Sequence, residues 1–144
     1  MSYQEQIADA IVTVLGALSG APPLVEYRKQ DALHSGDSNE AVIVSAGYQR
    51  MTGRAFEGTV YKDYGFQVSV YRTFLGDLTA DVDTNPAYVQ LAKQALDLPA
   101  LSGVSVVFDV ELVQDAAWEN NQFPTGSEVS RFGVLVRTAE PQNG

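Results

Sequence analysis

The sequence predicts an α+β domain in which two helices pack on one face of a mainly antiparallel sheet that carries an extended β-hairpin. Apolar residues recur with helical spacing in two segments, one near the start of the chain and one past its middle. Elsewhere, runs rich in β-branched residues alternate apolar with polar side chains and are separated by turn residues. We therefore expect the order α–β–β–β–β–α–β–β in a single domain that spans residues 1–144.

The first helix is predicted to begin at a capping box. Ser2 and Glu5 form an S-x-x-E pattern, in which the serine caps the first turn. The apolar stripe that follows consists of Ile7, Ile11, Val14, Leu15 and Leu18. Gly20 and the prolines at positions 22 and 23 should end this helix.

Four extended runs are predicted before the second helix. They cover residues 24–29, 41–48, 55–62 and 66–71. Glycine suggests tight turns at residues 50–54 and 63–65, and two turns between three runs favour an antiparallel meander. Residues 30–40, which include His34, are predicted to form an exposed loop.

The second half of the chain is predicted to contain one helix and two strands. Asn85 and Pro86 should open the helix after a loop at residues 75–84, and Pro99 should end it. The expected apolar stripe of this helix is Tyr88, Leu91, Ala92, Ala95 and Leu96. Strands are expected at residues 104–112 and 129–138, with a long loop at 115–127 and a polar tail at 139–144.

Composition excludes several classes of protein. The chain contains 18 acidic and 9 basic residues, for a net charge of −9, and its basic residues form no run. Such a chain repels nucleic acid over most of its surface. The absence of cysteine excludes disulfides and thiolate metal sites. With no long apolar segment and no basic signal-peptide region, we expect a protein made in the cytoplasm of the cell that encodes it, without a membrane partner.

Groups suited to catalysis are scarce, so we expect no enzyme, no cofactor and no metal. His34, the one histidine, lies in a polar loop, and no G-x-S-x-G motif accompanies it. Asp81 and Asp83 begin like a calcium loop, but Pro86 and Ala92 occupy the positions that require Gly and Glu.

An alternative class stays open, namely a small metal-dependent enzyme or ligand-binding domain. It would use Asp81, Asp83, Asp109 or Glu111. The last two lie on the same side of one predicted strand because side chains repeat every two residues.

Large apolar and arginine side chains in the predicted turns and loops are candidate interface residues, because such residues are enriched at protein interfaces. They are Arg50, Met51, Arg54, Phe56, Trp118 and Phe123. For Trp118, packing against the domain's own core is the alternative.

Three segments and the order of elements resemble the small neck and tail-completion proteins of tailed bacteriophages. These segments are Leu-x-x-Pro-x-Leu-x-Gly at 96–103, Val-Phe-Asp-Val-Glu at 107–111 and Val-x-Arg-Phe-x-Val-x-Val-Arg-Thr at 129–138. Among these proteins, the tail terminator is the most similar type.

That resemblance implies a structural protein in the neck of a virion. It implies an α+β subunit of a hexameric ring that caps the tail tube and joins it to the head connector. DNA would pass through the lumen without specific binding, and the hairpins and long loops would make ring-to-ring contacts. The alternative is a head-closure (stopper) or head–tail adaptor protein. A terminator should bind the tail tube protein, whereas a stopper should bind on the portal side.

Overall fold

The computed structural model describes residues 2–30, 40–55, 58–73, 88–120 and 127–141. Within these ranges the chain forms two α-helices, one short 3-10 helix and five strands, which confirms the α+β class. In chain order they are α1 (Tyr3–Gly16), β1 (Leu24–Arg28), β2 (Ala41–Ala55), β3 (Thr59–Thr73), α2 (residues 88–95), the 3-10 helix (Pro99–Leu101), β4 (Val107–Asn120) and β5 (Ser127–Pro141).

The strands form one sheet in the order β1-β2-β3-β5-β4. β1 pairs with β2 in parallel, and the other three pairings are antiparallel, so the prediction of a mainly antiparallel sheet is confirmed. The central β3–β5 ladder runs from the Thr59–Pro141 pair to the Thr73–Ser127 pair without a register shift. All described register shifts lie in the β2–β3 and β4–β5 pairings.

Both helices pack on the same face of the sheet, which we call the helix face. Ile7, Ile11 and Leu15 of α1 are fully buried in one cluster with sheet residues and with Tyr88 of α2. The Tyr88 hydroxyl donates a hydrogen bond of 2.9 Å to the backbone carbonyl of Leu15, which joins the two helices. Each such aliphatic side chain contributes about 1.5–3 kcal/mol on burial. The opposite side of the sheet is called the open face; at the end away from the hairpin turn it carries a second buried cluster of Ala41, Ile43, Tyr71 and Val129.

The predicted turns at residues 50–54 and 63–65 are wrong. Both segments lie inside strands, and the chain reverses between Ala55 and Thr59. Register shifts between Ala46 and Tyr48 and between Met51 and Gly53 absorb extra residues, so β2 bends and continues. The predicted three-run meander is therefore a single long hairpin with strands of 15 residues each, and the sheet has five strands where six were predicted.

The second half also departs from the predicted boundaries. β4 continues to Asn120, so residues 115–120 are strand and not loop, and irregularities after Leu112 and Gln114 accommodate its extra residues. β5 extends three residues past the predicted end, to Pro141. In α2, Leu91 is 42% exposed, and the buried stripe contains Val89 instead.

Several predictions fall outside the described residues. They concern the loop around His34, the loop at residues 75–84, the helix start at Asn85 and Pro86, and the side chains of Phe56 and Phe123. No helix within the described ranges combines the length and the apolar character needed to cross a membrane.

Candidate functional site

The end of the sheet nearest the hairpin turn presents an ordered set of side chains on its open face. Strand pairing places eleven of them in three rows across β2, β3, β5 and β4, and a ring contact with Tyr61 adds Phe108 to the first row. The tip row is Gly53, Tyr61, Ala139 and Phe108; the middle row is Arg50, Asp63, Arg137 and Asp109; the inner row is Tyr48, Gly65, Leu135 and Glu111. We call these twelve residues the open-face patch.

The middle row alternates positive and negative charges. Arg50 lies 3.4 Å from Asp63, and Arg137 lies 4.0 Å from the other oxygen of the same carboxylate. Arg137 also forms ion pairs with Asp109 and, at 3.0 Å, with Glu111. Hydrogen bonds to Asp109 and then Glu111 raise the pKa of Arg137, so its guanidinium stays charged.

Burial distinguishes Asp63 from the other charges of this row. Its side chain is only 7% exposed, whereas that of Arg50 is 66% exposed. An exposed ion pair contributes about 0–1 kcal/mol, but a buried carboxylate depends on its cationic partners to offset lost hydration. Arg50 and Arg137 therefore hold Asp63 in place, while Arg50 remains available to a binding partner.

Aromatic side chains flank the charged row. In the tip row, the rings of Tyr61 and Phe108 meet edge to face with centroids 6.1 Å apart and an interplanar angle of 83°. Phe108 lies at the register shift between Val107 and Asp109, and it is 49% exposed. A bulge thus turns an apolar ring of β4 toward the open face.

Tyr48 in the inner row lies directly over Gly65. A Cβ atom at Gly65 would be 2.3 Å from the Tyr48 ring, a separation that contacting carbon atoms do not adopt. A larger residue at position 65 would therefore displace the Tyr48 ring from this close approach. The Arg50 guanidinium carbon lies 5.8 Å from the centroid of the same ring, which is within the range of a cation–π interaction.

A groove of about 550 Å³ lies on the helix face, between the start of α1 and the distal half of the hairpin. Its lining includes Tyr3, Gln49, Met51, Arg54, Lys62, Tyr64 and Glu140. Oε2 of Glu140 accepts hydrogen bonds of 2.6 Å from the hydroxyls of both Tyr64 and Thr138, and Lys62 Nζ lies 3.5 Å from Oε1. Glu140 is only 5% exposed, so these donors replace its water.

The same cluster shifts the titration of Tyr64. Burial of its hydroxyl, together with the hydrogen bond to Glu140, raises the pKa of Tyr64 above its usual value. Ionisation would place a second negative charge beside a carboxylate, so the neutral phenol is favoured.

The predicted interface residues do not form one cluster. Arg50 belongs to the open-face patch, whereas Met51 and Arg54 line the groove on the opposite side of the same strand. Trp118 lies in β4 and pairs with Ser130, and its side chain is outside the described residues.

Of the four carboxylates considered for an enzyme, two lie within the described residues. Asp109 and Glu111 lie on one side of β4, as predicted, and both bind Arg137. Asp81 and Asp83 fall outside the described residues. In the part of the chain that the structure describes, no three acidic or histidine side chains converge as a metal site.

Sequence reasoning singled out three of the twelve patch residues and missed the other nine. The missed residues with large exposed or charged side chains include Tyr48, Tyr61, Phe108 and Arg137. Two of them lie beside segments that the sequence assigns to turns, and their common location depends on the register of four strands. The sequence contains one local signal of this patch. Tyr48, Arg50 and Tyr61 lie within a short stretch that contains few acidic residues.

Comparison with known proteins gives a likeness in fold. No family model matches the sequence, and no curated protein sequence matches it. The fold is similar to that of a chain in a solved structure described as "Virion of native gene transfer agent (GTA) particle", with a TM-score of 0.53 and 13% sequence identity. The likeness covers 95% of this chain and 94% of that chain, so the two share a fold over nearly their whole lengths.

Proposed function

We propose that this chain is a structural protein of a phage-like virion, and specifically a tail terminator in the neck. In this role, six copies form a ring that caps the tail tube and joins it to the head connector. The observation that carries the proposal is the fold likeness, over 95% of the chain, to a chain of a gene transfer agent virion. The sequence resemblance to neck proteins supports the same assignment.

Surface chemistry supports a role in assembly. The open-face patch presents exposed tyrosine, phenylalanine and arginine side chains on a sheet, and these residue types dominate binding energy at protein interfaces. Beyond Ser45, no described strand pairs with the outer edge of β2, so the hairpin can also accept a strand from a partner.

Electrostatics agrees with the passage of DNA through such a ring. The net charge of −9 disfavours adhesion of phosphate groups to the lumen. We propose that DNA crosses without specific binding, that no membrane partner takes part, and that the protein is made in the host cytoplasm before it joins the virion.

A non-catalytic role is part of the proposal. Asp109 and Glu111, the described carboxylates considered for an enzyme, are both engaged by Arg137 and are therefore unavailable as paired acid and base. Addition of millimolar calcium or magnesium should leave the melting temperature within about 1 °C of its value in chelator. A rise of several degrees would favour the metal-dependent alternative.

Deletion of the gene from the phage-like element that encodes it tests the proposed role, with the wild-type gene supplied in trans as the control. Loss of a terminator should yield tails of uncontrolled length and heads without tails. Heads that lose their DNA beside tails of normal length would indicate a stopper or adaptor instead. Particles of normal structure and yield would overturn the proposal.

Binding measurements distinguish the same alternatives in purified components. A terminator should bind the tail tube protein encoded in the same element, and negative-stain images should show rings. Preferential binding to the portal-side protein would support the stopper assignment.

A further inference from the structure

We propose that the open face is a self-complementary contact surface, on which two copies of this chain pack about a two-fold axis. The axis lies between the two sheets and runs parallel to the strands. Such a rotation keeps the three rows in register and reverses the order of the four strands, so β2 of one copy faces β4 of the other.

The middle row has the charge pattern that this rotation requires. Its order is Arg50, Asp63, Arg137, Asp109, which alternates positive and negative. When an alternating row of four charges is reversed, every position meets the opposite sign. Arg50 then faces Asp109 of the second copy on each side of the axis. Asp63 is buried, and its position opposite Arg137 avoids a like charge without direct contact.

The tip row is complementary in shape. Its residues alternate small and large in the order Gly53, Tyr61, Ala139, Phe108. After reversal, Phe108 faces Gly53 of the second copy, so a large ring meets a small residue, as on the inner faces of packed sheets. Ala139 lies between β3 and β4, where the rings of Tyr61 and Phe108 of its own copy meet across it.

The inner row adds a polar contact. The ring of Tyr48 lies over Gly65, at the β2 side of the row. After reversal it faces the exposed Glu111 of the second copy, so its hydroxyl can donate to that carboxylate.

The alternation of charge also selects among possible partners. A nucleic acid backbone or a uniformly basic peptide carries one sign of charge, and half of the middle row would repel either of them. A second copy presents the same row in reverse order, so the sign of its charge is opposite at every position. We therefore assign the contact to two copies of this chain.

Dimensions predict a weak association. Four strands about 4.8 Å apart and three rows about 6.8 Å apart present roughly 400 Å² per copy, or roughly 800 Å² in total. That is below the range of about 1,200–2,000 Å² found for stable interfaces, so we expect dissociation constants of tens of micromolar. The contact goes beyond the ring proposed above and does not depend on it.

Charge reversal with mixing tests the contact. Sedimentation equilibrium from about 1 to 500 µM should show a monomer–dimer equilibrium for the wild-type chain. Arg50→Glu and Asp109→Lys should each raise the dissociation constant by about tenfold or more, because each homodimer then holds two like-charge contacts. An equimolar mixture of the two variants should dimerise as tightly as the wild type, since both contacts become opposite in sign.

Two further variants make the result specific. Arg54→Glu, on the other side of the same strand, should leave dimerisation unchanged. Phe108→Ser should weaken it by about tenfold without any change of charge, and it keeps the test valid if a reversal variant fails to fold. Thermal melting of every variant confirms that it is folded.

A chain that remains monomeric at 500 µM, a dimer indifferent to both reversals, or a mixture that does not reassociate would each overturn the two-fold contact. Any of these results would leave the virion role intact, because the proposed ring does not depend on the two-fold contact. Conversely, dimers without any neck phenotype on gene deletion would overturn the virion role alone.

Discussion

Single residues of the open face are constrained by their neighbours, and Gly65 is the sharpest case. Gly65→Ala should cost about 1–2 kcal/mol, because the new methyl group displaces the Tyr48 ring and its contact with Arg50. In a Tyr48→Ala background the same substitution should be neutral or stabilising, since alanine is less flexible than glycine in a strand.

Urea unfolding of the four chains in this double-mutant cycle measures the coupling between the two positions. An equal cost of Gly65→Ala in both backgrounds would show that the ring is not the cause.

The hydroxyl of Tyr64 is expected to stabilise the fold through Glu140. Tyr64→Phe removes one of the two short hydrogen bonds to a buried carboxylate oxygen, which should lower the free energy of unfolding by about 1–3 kcal/mol. Tyr61→Phe is the matched control, because that hydroxyl has no described partner, and it should change stability by less than about 0.5 kcal/mol. Equal effects at the two sites would exclude the hydrogen bond as the source of stability.

The raised pKa of Tyr64 gives this contribution a definite pH dependence. In the unfolded chain the phenol loses its proton near its ordinary pKa of 10.0, whereas the folded chain retains it to higher pH. Unfolding then releases a proton, so the contribution is complete below pH 10 and decreases as the pH rises above it. The stability difference between the wild type and Tyr64→Phe should be constant from about pH 7 to 9 and smaller at about pH 11. A difference that grows with pH would contradict the raised pKa.

At the level of elements, α1 depends on its N-terminal cap. The Ser2 hydroxyl accepts a hydrogen bond of 3.1 Å from the backbone N–H of Glu5 and lies 3.1 Å from the Glu5 carboxylate. Ser2→Ala should cost about 1 kcal/mol, measured by thermal or urea unfolding. Thr13→Ala, which removes an exposed hydroxyl from the same helix, should cost less than about 0.5 kcal/mol. A cost for Thr13→Ala as large as that for Ser2→Ala would rule out a specific capping effect.

Local signals explain which elements could be predicted from the sequence. The cap of α1 and the burial of Ile7, Ile11 and Leu15 arise from residues three or four positions apart, and both are confirmed. Val14 and Leu18 are only partly buried, and α1 ends at Gly16, before the predicted stop at Gly20. Turn prediction failed at Gly53 and Gly65 because glycine permits several conformations. In the folded hairpin, Gly53 follows a register shift and Gly65 makes room for a ring. Sequence spacing alone cannot separate these uses of glycine from a turn.

The candidate surface was predicted only in part, because it depends on long-range pairing. Arg50 was named as an interface residue, yet its partner Asp63 lies on the next strand and was assigned to a turn. Arg137 joins Asp63 to Asp109 across three strands, and none of these pairs is close in sequence. A one-residue change in register would send each side chain to the other face, so the alternating row exists only once the bulges are known.

At the scale of the whole molecule, charge is unevenly distributed. Residues 47–62 contain three basic residues and one acidic residue, for a net +2, so the remaining six basic and 17 acidic residues sum to −11. This hairpin segment is thus positive in the sequence, although the carboxylates of Asp63, Asp109, Glu111 and Glu140 lie at the same end of the folded sheet.

Added salt should therefore stabilise the folded chain and weaken the two-fold contact. At a net charge of −9, the folded chain repels itself, and sodium chloride screens that repulsion over a distance of about 10 Å at 0.1 M. The melting temperature at about 2 µM protein, where the chain is monomeric, should rise by about 3 °C between about 0.02 and 0.5 M salt. The open-face contact joins opposite charges across two copies, so the same increase in salt should raise its dissociation constant several-fold. The mixed Arg50→Glu and Asp109→Lys dimer should respond as the wild type does.

A melting temperature that falls with salt would mean that specific ion pairs such as Arg137 with Asp109 outweigh the general repulsion. A contact that strengthens with salt would mean that its aromatic rows contribute more than its charges.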